Sequence, residues 1–176
     1  LIGVFRSAGL GLLNGLSRPT WDSIAHFVQA RLTDSVIDAG LARMPPEYRR
    51  LTGDVIRRNL LSRRKLLPAE ATRFYLMLAR VVDIHATDAR DIALIDRDSA
   101  GGLRVRLYDG RHKARGTDGT PWFDRRFLPD ETSEVRVYLH GDDDSAVVRG
   151  SGATGIKLRL IGGKGDNRLI DSSRVA

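Results

Sequence analysis

Apolar residues recur at helical spacing in the first half of the chain and alternate with polar residues in the second half. From Thr20, which can cap a helix, apolar positions follow one another every three or four residues. The same spacing returns after Thr33, after Thr52 and from Pro68, a residue suited to the first turn of a helix. The pattern predicts four helices with short connections, which favours antiparallel packing.

Beyond residue 88 the period changes from helical to two, which is typical of strands. Strands are predicted at 92–95 and 103–107, on either side of a turn at 98–102, and again at 122–128. Helices first and strands second predict the α+β class. We therefore expect a linker or packing segment at 1–17, a four-helix subdomain at 18–88 and a β subdomain at 89–176.

One pattern occurs twice between residues 134 and 171. Val135-Arg136-Val137-Tyr138 aligns with Leu158-Arg159-Leu160-Ile161 at an offset of 23 residues, and both copies continue into a Gly/Asp turn and a second short strand. Self-similarity at a fixed period is typical of stacked coils. The sequence therefore predicts an antiparallel or coil-like β domain with two stacked 23-residue repeats, in which Val137 and Leu160 are buried neighbours.

Composition excludes several classes of protein and site. Hydrophobic residues make up 41% and charged residues 29% of the 176 residues, which fits a globular domain rather than a disordered chain. The absence of cysteine excludes disulfides, thiolate metal sites and cysteine nucleophiles. No apolar run is long enough to predict a transmembrane helix. The first residue is leucine and no signal peptide pattern precedes it, so we interpret the chain as a fragment or a processed product.

The formal charge of +7 lies mostly in the first half of the chain and is nearly all arginine. Arg50, Arg57 and Arg64 are seven residues apart and share a helix face, a pattern that would suit contacts with phosphates or an acidic partner. No aromatic residues interleave and no nucleic-acid-binding motif is recognisable, so nucleic acid is not the expected partner. A plain solvated face is the simpler interpretation.

The Gly/Asp turns suggest a candidate metal site. Calcium takes six to eight oxygen ligands, and Asp143, Asp144 and Asp166 could supply carboxylates from neighbouring turns. The segment 162–169 also resembles the calcium-binding glycine-rich nonapeptide, although Asn167 stands where that pattern has Asp. The favoured interpretation is that the Asp side chains accept hydrogen bonds from nearby backbone N–H groups, so no cofactor is expected and calcium is the alternative.

No catalytic motif is recognisable. The four histidines are scattered, and the sequence contains neither a nucleophile elbow nor a phosphate-binding loop. No catalytic residue is assigned, and the chain is not expected to be an enzyme.

A series of short motifs nevertheless resembles one particular family. The motifs are Thr20 to Leu32 followed by Thr33-Asp34, Met44-Pro45-Pro46-Glu47, Arg63-Arg64, Val82 to Asp88, Arg126-Phe127-Leu128-Pro129, Glu134 to Tyr138, Gly141-Asp142-Asp143-Asp144 and Ile161 to Asp166. Together they resemble the region of large bacterial envelope proteins between an N-terminal segment, often a metallophosphoesterase, and a C-terminal surface-antigen-type outer-membrane β-barrel. The resemblance covers about residues 18–172. Relatives usually have Gly-Gly-Asp-Asp at 141–144, so this turn is altered.

The resemblance implies a location on the periplasmic side of an outer membrane. The phosphoesterase metal ligands and the barrel are outside this chain, so their activities are not carried over. The leading hypothesis is a non-enzymatic interaction or connector module, associated with the membrane through a protein partner or a covalently linked β-barrel. The alternatives are an accessory domain of a phosphoester hydrolase, or binding of nucleic acid or anionic lipid through the arginine face.

Overall fold

The computed structural model of the chain describes residues 15–111, 119–152 and 155–175. As predicted, the class is α+β, with three helices and two main sheets in this part of the chain. The helices are α1 (Arg18–Arg31), α2 (Asp34–Ala42) and α3 (Pro46–Ala79). The strands are β1 (Val81–His85), β2 (Asp91–Arg97), β3 (Leu103–Asp109), β4 (Phe123–Phe127), β5 (Glu134–Tyr138), β6 (Ser145–Gly152), β7 (Lys157–Ile161), β8 (Arg168–Asp171) and β9 (Arg174–Val175).

The predicted third and fourth helices are one helix, because α3 continues through Pro68. Proline has no N–H to donate to the carbonyl oxygen of Arg64 four residues earlier, and this loss commonly breaks a helix. Here the side-chain amide of Gln29, in α1, donates to that oxygen at 2.9 Å. The prediction of four helices is therefore wrong, since a tertiary contact supplies the missing donor.

Partly buried polar contacts hold α1 against α3. The indole N–H of Trp21 donates to the carbonyl oxygen of Ala71 at 2.9 Å, and the Thr72 hydroxyl donates to the Asp22 carboxylate at 2.9 Å. The Trp21 ring also lies 6.0 Å from the ring of the buried Tyr75. None of the described helices combines the length and apolar character needed to cross a membrane.

The chain divides into two compact units, and the helical one is Ser17–Met77. The predicted boundary at residue 88 is too late, since strand β1 lies inside the range assigned to the helical subdomain. In β1, Val82 and Ile84 are buried and their neighbours are not, which is the alternation of a strand. Five residues are too few for periodicity to separate a strand from the end of a helix. Of the predicted segment 1–17, residues 1–14 lie outside the described residues.

The second unit contains two main sheets and, apart from β3 and β4, the strands from β1 to β8 belong to the two sheets in turn. The first sheet has the order β1-β5-β7 and is entirely parallel. The second has the order β4-β3-β2-β6-β8, in which β2, β6 and β8 are parallel. The predicted hairpin around 98–102 is confirmed, since β2 and β3 pair antiparallel there. β4 then pairs antiparallel with β3.

Successive turns of the chain lie beside one another in these sheets. Each residue of β5 pairs with the residue 23 positions later in β7, so that Val135 lies beside Leu158 and Val137 beside Leu160. The earlier turn, formed by β1 and β2, pairs with residues 53 positions later, because the β3–β4 hairpin is inserted between the two turns. The core is formed by inward-facing side chains of both sheets. Val137 is fully buried, whereas Leu160 is only half-buried.

Candidate functional site

A ladder of Asp and Asn side chains joins the turns that precede β2, β6 and β8. Asp91, Asp144 and Asn167 occupy equivalent positions, since Asp91 begins β2 and the other two immediately precede β6 and β8. The Asp144 carboxylate accepts from the backbone N–H of Asp91 at 2.7 Å, and the Asn167 side-chain oxygen accepts from the backbone N–H of Asp144 at 3.0 Å. Each side chain therefore caps the backbone of the preceding turn and fixes the register of the turns.

The neighbouring side chains of Asp143 and Asn167 also bond to backbone groups. Asp143 accepts from the N–H of Asp166 at 2.8 Å, and the Asn167 amide donates to the carbonyl oxygen of Gly162 at 2.9 Å. The predicted bonding of Asp side chains to the backbone is thus confirmed for Asp143 and Asp144. Across the residues that the structure describes, no group of three His, Cys, Asp or Glu side chains is arranged to hold a metal.

Asp144 carries an unfavourable charge. Asp144 is only 2% exposed, and its Oδ2 atom has no hydrogen-bond partner among the described residues. Burial raises the pKa of Asp144 to about 6; the Asp91 N–H opposes this shift, and the charges of Asp91, Asp142 and Asp143 add to it.

Asp91, which sequence reasoning missed, is the second buried carboxylate. Its Oδ2 accepts from the N–H and the hydroxyl of Thr87, both at 2.7 Å, and its Oδ1 accepts from the Trp122 indole at 3.3 Å. Its equivalence to Asp144 is hidden in the sequence, because the inserted hairpin changes the offset from 23 to 53. The ladder therefore gives Asp144 and Asn167 a structural role, because each accepts a hydrogen bond from the backbone of the neighbouring turn.

Two of the three arginines predicted to bind anions are used inside the helical unit. Arg57 donates to both carboxylate oxygens of Asp38, at 2.6 and 3.1 Å. Arg64 lies 2.7 Å from the carboxylate of Asp34 and donates to the Leu32 carbonyl oxygen at 2.7 Å. These contacts join α3 to α2 and to the C-terminal end of α1. The spacing of seven residues correctly indicated a shared face, but that face is the packing side of α3.

Arg50, the third predicted arginine, lies in a groove with mixed charge. The groove has a volume of about 380 Å³, and Asp38 and Asp54 line it together with Arg50 and Arg57. Carboxylates on its walls oppose the binding of an anion. The three arginines therefore do not form one free cationic stripe.

The opposite side of α3 presents an exposed row of apolar residues, which we call the α3 apolar stripe. Its members are Tyr48, Leu51, Val55, Leu66 and Met77, with side chains between 50% and 80% exposed. They are separated by 3, 4, 11 and 11 residues, which are close to whole numbers of helical turns. These residues stay exposed because α3 packs on α2 through the side that carries Arg57 and Arg64.

The charges of the helical unit are mostly positive. Residues 17–77 contain eleven Lys/Arg and six Asp/Glu, a net charge of +5. Arg58, Arg63 and Lys65 are exposed, and within the described ranges none of them has a carboxylate at ion-pair distance. The α3 apolar stripe therefore lies on a helix with unneutralised basic residues.

Helix α1 presents a smaller apolar patch, formed by Ile24, Phe27 and Val28. These side chains are exposed, and the Arg31 guanidinium lies 5.0 Å from the centre of the Phe27 ring. They remain exposed because α1 packs on α3 through Trp21 and Gln29 instead. We call these three residues the α1 patch.

No known protein family matches the chain, and neither the curated proteins nor the solved structures include a significant match.

Proposed function

We propose that the chain is a non-enzymatic interaction module whose helical unit docks a protein partner through the α3 apolar stripe. The observation that carries the proposal is the exposure of five large apolar side chains along one side of a single helix. Apolar surface arranged in this way typically marks a protein interface. The nearby basic residues favour a partner that bears carboxylates. The partner's chemistry is therefore that of an amphipathic helix with an apolar row and acidic flanks.

Burial of the α3 apolar stripe contributes favourable free energy to such docking. Complete burial of one Leu or Met side chain contributes about 1.5–3 kcal/mol. Burial of three or four such side chains contributes roughly 5–12 kcal/mol, which is of the same order as the association cost of about 4–15 kcal/mol. Leu51, at 80% exposure, gains the most from a partner.

The proposed setting is the periplasmic face of an outer membrane, where the module would connect a membrane-associated assembly to another protein. The resemblance of residues 18–172 to the middle region of envelope proteins supports this setting. The partner would be a separate protein or a covalently linked β-barrel. Binding of polyanions through Arg50, Arg57 and Arg64 is the weaker proposal, since Arg57 and Arg64 already pair with carboxylates.

The test uses a fluorescent amphipathic helical peptide with leucines at helical spacing and glutamates on both flanks. We expect saturable micromolar binding to the wild-type chain, measured by fluorescence anisotropy. The Leu51→Ser/Leu66→Ser variant should bind at least about tenfold more weakly, because two exposed contacts are lost. Its fold should be unchanged, since exposed positions usually alter stability by only about 0.5 kcal/mol.

Two controls make the test specific. An Ile24→Ser/Phe27→Ser variant alters the α1 patch and should bind the peptide as the wild type does. A peptide with lysines in place of the glutamates should bind more weakly. Equal binding by all variants, or no saturable binding, would contradict docking at the α3 apolar stripe. Hydrolysis of a generic phosphoester by the wild-type chain would contradict the non-enzymatic assignment.

A further inference from the structure

Strands β7 and β8 are the last strands of the two sheets, and together they form an edge on one side of the second unit. Within the described residues no strand pairs with the outer side of either one. We call this side the β7–β8 edge. Unpaired strand edges offer backbone donors and acceptors to another strand.

The hydrogen bonds of β7 show which of its backbone groups face outward. The N–H of Lys157 donates to the Ser133 carbonyl oxygen at 2.9 Å, and the Ile161 carbonyl oxygen accepts from the Leu139 N–H at 2.9 Å. These residues and Arg159, which lies between them, therefore face β5. Since alternate residues of a strand face opposite neighbours in a parallel sheet, Leu158 and Leu160 direct their N–H and carbonyl groups to the open side.

The apolar core is incomplete at the same edge. Val135 and Val137 in β5 are fully buried, whereas their partners Leu158 and Leu160 in β7 are only half-buried. In β8, Leu169 is 47% exposed. A further strand beside β7 would cover the two half-buried leucines, as β7 covers the valines of β5.

The ladder of capping side chains has a direction. Asp144 caps the N–H of Asp91, and Asn167 caps the N–H of Asp144. In both cases the cap comes from the turn on the side of the β7–β8 edge. An incoming turn with Asp or Asn at the equivalent position would continue this ladder beside Asn167.

We propose that the β7–β8 edge binds an extended segment of a partner protein as an added parallel strand. The geometry defines the segment: apolar residues at alternate positions beside Leu158 and Leu160, then a glycine-rich turn carrying Asp or Asn. Main-chain hydrogen bonds provide the affinity and the two leucines select the apolar side chains, as in other cases of strand addition. This edge lies in the second unit, so the inference does not depend on docking at the α3 apolar stripe.

The probe is a fluorescent peptide with the sequence of residues 155–173, which has the required alternation, glycine turn and Asn. It is added to the full chain, and binding is followed by anisotropy. In parallel register, the peptide's copy of Arg159 faces the protein and its copy of Leu160 faces away. N-methylation at the copy of Arg159 should weaken binding by about tenfold or more, because a donor is lost and a methyl group blocks the approach. N-methylation at the copy of Leu160 should leave the affinity unchanged.

Variants of the protein provide the matched test. Leu160→Pro removes an outward N–H of β7 and should abolish peptide binding, whereas Leu160→Ala, which keeps that N–H, should retain most of it. Absence of saturable binding by the unmodified peptide would overturn the inference, and so would equal binding by the two N-methylated peptides. Self-association of the protein alone that Leu160→Pro abolishes would also overturn it, since the occupant would then be a second copy.

Discussion

Replacing Asp144 with asparagine is expected to stabilise the protein, and the gain should depend on pH. Asp144 is a buried carboxylate whose Oδ2 has no hydrogen-bond partner among the described residues. Asn167, at the equivalent position of the next turn, shows how an amide fits such a site. Its oxygen accepts from the N–H of Asp144, and its amide nitrogen donates to the carbonyl oxygens of Gly162 and Lys164 at 2.9 and 3.2 Å. Asp144→Asn keeps the acceptor for the Asp91 N–H and removes the buried charge.

The size of the effect follows from the pKa of Asp144. Burial raises this pKa from 3.8 to about 6, a difference that corresponds to about 3 kcal/mol. Because the folded state binds the proton more tightly than the unfolded state, protonation stabilises the wild type. Its stability therefore falls as pH rises from about 4 to about 6, and the full cost is present above that range. Asp144→Asn should gain up to about 3 kcal/mol at pH 8 and less than about 1 kcal/mol at pH 4.

Urea unfolding of the wild type and of Asp144→Asn at pH 4 and pH 8 measures this difference. Asp143→Asn is the matched control, because Asp143 is exposed and its variant keeps the oxygen that accepts from the Asp166 N–H. The control should differ from the wild type by no more than about 0.5 kcal/mol. If Asp144→Asn were less stable than the wild type at pH 8, or if its gain were the same at both pH values, the carboxylate would not carry the proposed cost.

Three further outcomes are expected. Gln29→Leu should lower the free energy of unfolding by about 1–2 kcal/mol, because the Arg64 carbonyl oxygen loses its donor. The loss should be smaller in a Pro68→Ala background, where the N–H of residue 68 can donate to that oxygen. Additive effects of the two substitutions in urea unfolding would contradict this account. Gly163→Ala should lower the free energy of unfolding by about 1–3 kcal/mol, since Gly163 has a φ of +79° and the added Cβ would lie 2.0 Å from the His140 carbonyl oxygen. Gly40→Ala is the control: Gly40 lies in a helix with open space around it, so this variant should be more stable by about 0.5–1 kcal/mol. Melting in millimolar calcium and in chelator should coincide, because the Asp side chains of the turns bond to backbone N–H groups; a shift of several degrees would show that a metal binds.

Local patterns were sufficient for the class and for much of the β unit. The alternation of apolar and polar residues indicated the hairpin of β2 and β3 and the strand β4, because each strand has one buried side. The alignment of Val135 with Leu158 is also the register in which β5 and β7 pair. The strands could be predicted from a few consecutive residues, and the register of β5 and β7 from the similarity of two segments.

The candidate sites depended more on contacts between distant residues. The seven-residue spacing of Arg50, Arg57 and Arg64 placed them on one face of a helix, and it could not distinguish the packing face from the exposed face. In the structure, Asp38 pairs with Arg57, 19 positions later, and Asp34 pairs with Arg64, so the arginine face is the packing face. The α3 apolar stripe became visible only once that packing was known.

The sequence by itself determined which residues can form helices and strands and which side chains share a face. Tertiary structure alone decided that α3 continues through Pro68, because the compensating donor is the side chain of Gln29 on another helix. It also decided the role of Asp91, whose partner Asp144 lies 53 positions away beyond the inserted hairpin. Periodicity reports only on neighbours along the chain, whereas the satisfaction of a buried donor or acceptor depends on whichever group the fold brings within hydrogen-bond distance.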